Sequence, residues 1–194
     1  MNTNRKHMVM ADLLYPAFLG TLIYSTVDKI NKPESPWSIS AGVLVFCLLL
    51  HYVMDYLYTK LDRPAEYSWW HFGLDGAIVL CMFFAVRGAL DANSMPWGLP
   101  PVAWLVMTKL AAVLWELAEP GTRTNRKRLA IGSDAAFGLG YILAWLFCSP
   151  YSFLLSIWVS LDAICYRLYD LYLEKSRRER AALVVEVRVD VGDT

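Results

Sequence analysis

Charged residues are scarce in this sequence, and neither positive nor negative charge is in excess. Only 19% of the 194 residues are charged, whereas 57% are hydrophobic. A soluble domain of this length needs more polar surface than such a composition supplies. The 18 basic residues balance the 18 acidic ones, so no basic surplus points to a nucleic-acid partner. The composition therefore predicts a membrane protein that does not bind nucleic acid.

Cysteine and histidine are also few, which excludes several kinds of site. The four cysteines, Cys47, Cys81, Cys148 and Cys165, lie inside apolar runs without any C-x-x-C pair. Such cysteines behave as small hydrophobic residues and predict neither a disulfide framework nor a thiolate metal site. No pattern for a serine or cysteine nucleophile is present either. The sequence favours a non-enzymatic protein and leaves the question of an enzyme open.

Six apolar runs dominate the chain. Each is about 19 to 24 residues long, enough for a helix to cross a hydrocarbon core of about 30 Å. The runs are residues 8–26, 37–58, 69–90, 95–118, 129–148 and 151–173. They predict an all-α polytopic membrane bundle of six transmembrane helices in residues 1–174, followed by a tail in residues 175–194.

Lysine and arginine are distributed unequally between the connecting segments. The basic segments contain Arg5, Lys6, Lys60, Arg63, Arg123, Arg126, Lys127, Arg128, Lys175, Arg177, Arg178 and Arg180. The alternate segments contain only Lys29 and Lys32. Because short basic loops stay on the cytoplasmic side, this distribution predicts an integral membrane protein with both termini in the cytoplasm.

A weak internal repeat accompanies the six runs. Residues 72–77 resemble residues 131–136, and Asp12, Asp75 and Asp134 are separated by 63 and 59 residues. A period near 60 residues is the period of three stacked helical hairpins. Matches this short also arise by chance, so both interpretations stay open.

Every apolar run carries an acidic residue near its predicted cytoplasmic end. These residues are Asp12, Asp55, Asp75, Glu116, Asp134 and Asp170. The first, third and fifth are expected near helix N-termini, where the helix dipole stabilises a carboxylate. The others lie near helix C-termini and need cationic partners. Ion pairing and a hydrophilic path through the membrane are the two interpretations.

Lys109 lies near the middle of the fourth run. A lysine at this depth costs about 3 kcal/mol on insertion scales, so it needs a partner. Asp162 is expected at a similar depth in the sixth run. A Lys109–Asp162 ion pair is one hypothesis, and a lysine that exchanges its proton under the control of Asp162 is the other.

Two H-x-x-x-D motifs occur on consecutive runs, His51 to Asp55 and His71 to Asp75. The spacing puts each His and Asp on one helix face, and antiparallel packing would bring all four together. Two imidazoles and two carboxylates suit zinc or another divalent ion, and they also suit proton transfer or simple hydrogen bonds. The motif is similar to that of cation-diffusion-facilitator zinc transporters, although it lies here on spans two and three instead of two and five.

The C-terminal tail alternates β-branched and charged residues from Val185 to Val191. This alternation is typical of a strand, which needs a sheet from another chain. Residues 182–191 therefore predict a homo-oligomer or a partner that pairs with this strand, with disorder as the alternative.

Together these patterns predict a channel or transporter for protons or small cations with an acidic and histidine site in the cytoplasmic half of the bundle. The alternatives are a membrane-embedded metal-dependent enzyme and a non-transporting oligomeric effector or signalling protein. The candidate metal ligands are His51, Asp55, His71 and Asp75. The candidate pathway residues are those four together with Lys109, Glu116, Asp134 and Asp162.

Overall fold

The computed structural model describes residues 3–32, 38–61, 67–91, 98–118, 125–147 and 153–165. Within these ranges all regular structure is helical and no strand occurs. The elements are α1 (Thr3–Met8), a π-helix (Val9–Leu14), α2 (Tyr15–Asn31), α3 (Ile39–Leu61), α4 (Trp69–Leu90), α5 (Pro101–Ala118), α6 (Asn125–Phe147) and α7 (Phe153–Cys165).

Five helical segments are long and apolar enough to cross a membrane. They are Lys6–Asn31, Ile39–Leu57, Trp69–Leu90, Pro101–Ala118 and Lys127–Phe147. Large hydrophobic side chains such as Leu139, Leu146 and Phe147 lie exposed on the outside of the bundle. The all-helical prediction is thereby confirmed for the described residues, and the length and composition of these five helices agree with the predicted membrane protein.

The predicted starts of the fourth and fifth runs were wrong. The fourth run was predicted from residue 95, but α5 begins at Pro101, because Pro100 and Pro101 suit the start of a helix and Gly98 before them adopts a φ of 65°. The fifth was predicted from residue 129, but α6 begins at Asn125 and includes the basic residues of the preceding segment.

The predicted sixth span is described only in part. Residues 153–165 form α7, which is apolar but shorter than the five candidate spans. Residues 166–173, which include Asp170, and the tail with its predicted strand lie outside the described residues.

Helix α4 lies at the centre of the packing. It contacts α2, α3 and α5, while α5 also contacts α6. Aromatic side chains fill these contacts, with the Phe18 ring 5.2 Å from Phe83 and the Phe84 ring 4.8 Å from Trp104. Because α4 packs on three neighbours, it is the most buried of the five candidate spans.

The first span changes register at the π-helix. The N–H of Tyr15 donates to the carbonyl of Met10, five residues back, and Pro16 follows at the start of α2. Proline has no N–H to donate, so the wider π turn accommodates it without a broken helix. The result is a continuous segment from α1 through α2 that places Tyr15 against α3.

We call the side where α3 ends and α4 begins the basic side, and the side where α2 ends and α3 begins the far side. Helices α2 and α4 run in parallel, since Phe18 lies beside Phe83 and Ser25 accepts a hydrogen bond from Arg87 nearer the far side. Helices α3 and α7 also run in parallel, with Cys47 beside Ser160 and His51 beside Asp162.

Candidate functional site

A buried group of charged and polar side chains joins four helices. Lys109 of α5 donates from Nζ to Asp134 Oδ1 of α6 at 3.0 Å and to Asp162 Oδ1 of α7 at 2.7 Å. Tyr141 of α6 donates from its hydroxyl to Asp162 Oδ2 at 2.8 Å. His51 of α3 lies with Nδ1 3.8 Å from the same oxygen. We call these five residues the central cluster.

The central cluster is closed off from the surface of the bundle. Asp162 and Tyr141 have an exposed fraction of 0%, and the other three side chains are also buried. A hydrogen bond with the Val159 backbone fixes the His51 ring against α7. Each charged group therefore depends on its neighbours in the cluster rather than on bulk water.

Gly138 of α6, which has no side chain, leaves room for the aliphatic part of the Lys109 side chain where α5 and α6 approach closely. A Cβ at Gly138 of α6 would lie 3.3 Å from the Cβ of Lys109, so a larger residue there would push α5 and α6 apart. The Lys109 ammonium also lies 5.7 Å from the centre of the Phe137 ring. These contacts direct the ammonium between the two carboxylates.

The charges of the central cluster do not balance. Two carboxylates face one ammonium, so the cluster has one net negative charge when the carboxylates are ionised and His51 is neutral. A net charge in a membrane interior is expensive. One further proton, on the imidazole or on a carboxylate, makes the cluster neutral. The arrangement is thus one proton short of electrical neutrality.

Asp55 lies one helical turn from His51, toward the basic side. The Tyr15 hydroxyl donates to Asp55 Oδ2 at 2.6 Å, and the Tyr52 hydroxyl donates to the Tyr15 carbonyl at 3.2 Å. Asp55 is half-buried and interacts electrostatically with residues of the central cluster. It lies between the cluster and the basic side.

Asp75 lies in the second turn of α4, which begins on the basic side. The Tyr67 hydroxyl donates to its carboxylate, and Asp75 interacts electrostatically with Asp55. Burial, followed by the nearby Asp75 carboxylate, raises the pKa of the Tyr67 phenol above its ordinary value. Since the phenol keeps its proton at neutral pH, it remains a hydrogen-bond donor to Asp75.

The N-terminal segment covers Tyr67. Lys6 Nζ donates to the Tyr67 carbonyl at 3.5 Å and lies 4.7 Å from the centre of the Trp69 ring. The His7 ring packs edge-on against Tyr67 at 5.4 Å. These contacts shield the Tyr67–Asp75 pair on the basic side.

His71 has a structural contact. The imidazole Nδ1 of His71 accepts a hydrogen bond from the backbone N–H of Ser68 at 3.3 Å, and the backbone N–H of His71 donates to Ser68 Oγ at 3.3 Å. These two bonds form a capping box at the start of α4. The His71 ring also packs edge-on against Trp115 at 4.9 Å.

The four residues of the two H-x-x-x-D motifs therefore lie in separate environments. His51 faces Asp162, Asp55 faces Tyr15, Asp75 faces Tyr67, and His71 faces Ser68. Across the parts of the chain that the structure describes, no group of three or more His, Cys, Asp or Glu side chains could hold a metal ion. The metal hypothesis for the quartet has no support in this geometry.

Other predicted residues take the following places. The predicted Lys109–Asp162 pair is confirmed. The explanation of Asp134 by a helix N-terminus is wrong, because α6 begins nine residues earlier and Asp134 instead pairs with Lys109. Asp12 is exposed in the π-helix, and Glu116 is half-buried near the end of α5.

Three tyrosines of the site were missed from the sequence. Tyr141 follows Asp134 by seven residues, two turns along one face of α6, and this spacing was a usable signal. Tyr15 and Tyr67 contact carboxylates 40 and 8 residues away, and no local pattern indicated the Tyr15 contact.

Comparison with known protein families, with characterised proteins and with solved structures finds no match, so these contacts alone define the candidate site.

Proposed function

We propose that this protein is a multi-pass membrane channel or transporter for protons, with the central cluster as its proton-binding site. The observation that carries the proposal is that Lys109, a single cation, is buried between two carboxylates, those of Asp134 and Asp162. A purely structural ion pair would need one carboxylate for one lysine. The second carboxylate, beside an imidazole, supplies a position for an exchangeable proton.

A proton fits this cluster better than a metal cation. The Lys109 ammonium already occupies the space between Asp134 and Asp162, where a small cation would otherwise bind. Among the described residues, the His51 imidazole also lies beside Asp162, and it gains a charge when it takes up a proton. Histidine commonly exchanges protons near neutral pH, which suits it to this function.

The residues toward the basic side provide a route to the cluster. From Asp75 to Asp55 and on to His51, each titratable group interacts electrostatically with the next. Carboxylates and imidazoles in sequence are the groups that pass protons in membrane pumps and transporters. Tyr67 and Tyr15 hold the two carboxylates in place by hydrogen bonds. The acidic and histidine path thus occupies the basic half of the bundle.

The proposed topology has six spans with both termini in the cytoplasm, so that the basic side is the cytoplasmic side. The support is the concentration of lysine and arginine in alternate connecting segments. The apolar helix α7 starts the sixth span, which completes three hairpins.

The tail strand of residues 182–191 joins copies into a homo-oligomer, and deletion of residues 182–194 should reduce the oligomer size in detergent.

Proton flux into liposomes tests the proposal. Purified protein is reconstituted with a pH-sensitive dye inside the liposomes, and a pH gradient is applied. Asp162→Asn should reduce the rate to that of empty liposomes, because it removes a carboxylate of the cluster and keeps its hydrogen-bonding shape. Asp12→Asn is the matched control, since Asp12 is exposed and lies outside the cluster. Equal rates for the wild type and empty liposomes would instead indicate a non-transporting membrane protein.

A further inference from the structure

The central cluster has a polar continuation toward the far side, between α3 and α7. Ser160 Oγ lies 3.2 Å from the Cys47 thiol of α3 and 2.9 Å from the Ser156 carbonyl of its own helix. Cys47 precedes His51 by one turn, and Ser160 precedes Asp162 by two residues. Cys47 therefore lies on the same face of α3 as His51 of the cluster, and Ser160 contacts Cys47 there.

Ser156 extends this polar strip by one further turn. It precedes Ser160 by four residues, so both serines lie on one face of α7. Its exposed fraction is 2%, and its hydroxyl has no hydrogen-bond partner among the described residues. A buried hydroxyl without a partner costs free energy, and proteins commonly satisfy such groups with ordered water.

We propose that the seam formed by Cys47, Ser156 and Ser160 holds water and connects the central cluster with the far side. Water there satisfies the Ser156 hydroxyl and reaches the His51–Asp162 pair past Ser160 and Cys47. As a route for protons the seam rests on the proposed function, because it supplies the second half of a path that Asp75 and Asp55 begin. As a hydrated site it stands on the serine and cysteine contacts alone.

Thiol reactivity tests for water in the seam, and the chain contains a matched control. Cys47 and Cys81 are almost equally buried, with exposed fractions of 8% and 9%, but Cys81 lies on α4, away from Ser160. One variant keeps only Cys47 and the other keeps only Cys81, with the remaining cysteines changed to alanine. Both are reconstituted into liposomes and treated with a small charged methanethiosulfonate reagent.

We expect Cys47 to react about tenfold faster than Cys81 or more, because the thiolate is the reactive form and needs water around the sulfur. Equal and slow reaction of the two cysteines would overturn the hydrated seam. Fast reaction of Cys47 in a protein that carries no proton flux would support the seam and contradict the proposed function. The two proposals can therefore fail separately.

A flux measurement tests whether the seam conducts protons. Ser156→Val removes the hydroxyl and fills the space that water would occupy, so we expect the proton flux to fall about tenfold or more, since valine offers water no partner. Thr108→Val is the control, because Thr108 is also buried but its hydroxyl donates to the Trp104 carbonyl of its own helix. Unchanged flux in Ser156→Val, with folding verified by its elution volume, would overturn the route.

Discussion

A lysine buried in the middle of a membrane helix must be neutralised by its neighbours, and Lys109 has two carboxylates within hydrogen-bond distance. Depth along the helices was enough to predict the pair with Asp162. It was not enough for Asp134, because the basic residues before that helix predict a loop although α6 begins at Asn125. An error of one turn in a helix start thus concealed one of the two carboxylates that contact Lys109.

Replacement of Lys109 should show how strongly the cluster depends on it. Lys109→Met leaves two buried carboxylates without their shared cation, so we expect the free energy of unfolding to fall by about 3–5 kcal/mol. Unfolding in mixed micelles with increasing sodium dodecyl sulfate measures this change.

A charge-matched variant serves as the control for Lys109→Met. Adding Asp134→Asn and Asp162→Asn to Lys109→Met removes both unpaired charges and should recover most of the lost stability. Wild-type stability in Lys109→Met alone would contradict the buried ion pairs.

The rotation of each helix could not be predicted from the sequence. Spacing of four residues correctly indicated that His51 and Asp55 share a face of α3, but it did not indicate which neighbour that face contacts. The imidazole of His51 turns to Asp162 of α7, and the predicted convergence with His71 does not occur. Helix rotation depends on packing along the whole interface, which a single motif does not determine.

At the scale of elements, hydrophobic length was a reliable guide. It predicted the third span at 69–90, which agrees with α4 at Trp69–Leu90, and it found the other helices with shifted ends. The π-helix before Pro16 was not predicted, since hydrophobic length does not indicate how the backbone is hydrogen-bonded. Apolar composition determines which segments enter the membrane, but local hydrogen bonding determines their register.

The contact between α6 and α7 provides a prediction at this scale. A Cβ at Gly140 would overlap the Trp158 indole, whose ring is fixed by a hydrogen bond to the Phe137 carbonyl at 3.2 Å. Gly140→Ala should therefore lower the free energy of unfolding by about 1–3 kcal/mol, as overpacking does. Unfolding in detergent by heat or by sodium dodecyl sulfate measures the difference.

Gly132 of the same helix is the matched control. A Cβ there meets nothing within 4 Å, so Gly132→Ala should be neutral or should stabilise the helix by about 0.5–1 kcal/mol. Equal effects of the two alanine substitutions would show that α6 and α7 do not pack closely at Gly140.

For the whole molecule, the proposed orientation makes a prediction about labelling in intact cells. In a background with the native cysteines changed to alanine, Lys32→Cys on the far side should react with an impermeant thiol reagent added outside. Arg126→Cys and Asp193→Cys should react only after the membrane is opened, because six spans place both in the cytoplasm. Opposite behaviour of Arg126→Cys and Asp193→Cys would contradict the two spans that the proposed topology places between them.

The central claim is that the buried cluster binds and transfers a proton, and two of the buried histidines, His51 and His71, allow its most direct test. Proton flux into liposomes is compared for the wild type, His51→Gln and His71→Gln. Glutamine at position 51 has no site for the proton, so we expect the flux to fall about a hundredfold, the scale of a lost proton-transfer group. Glutamine at position 71 keeps the capping box with Ser68, and flux should stay near the wild-type rate. Wild-type flux in His51→Gln, or an equal loss in His71→Gln, would contradict the account.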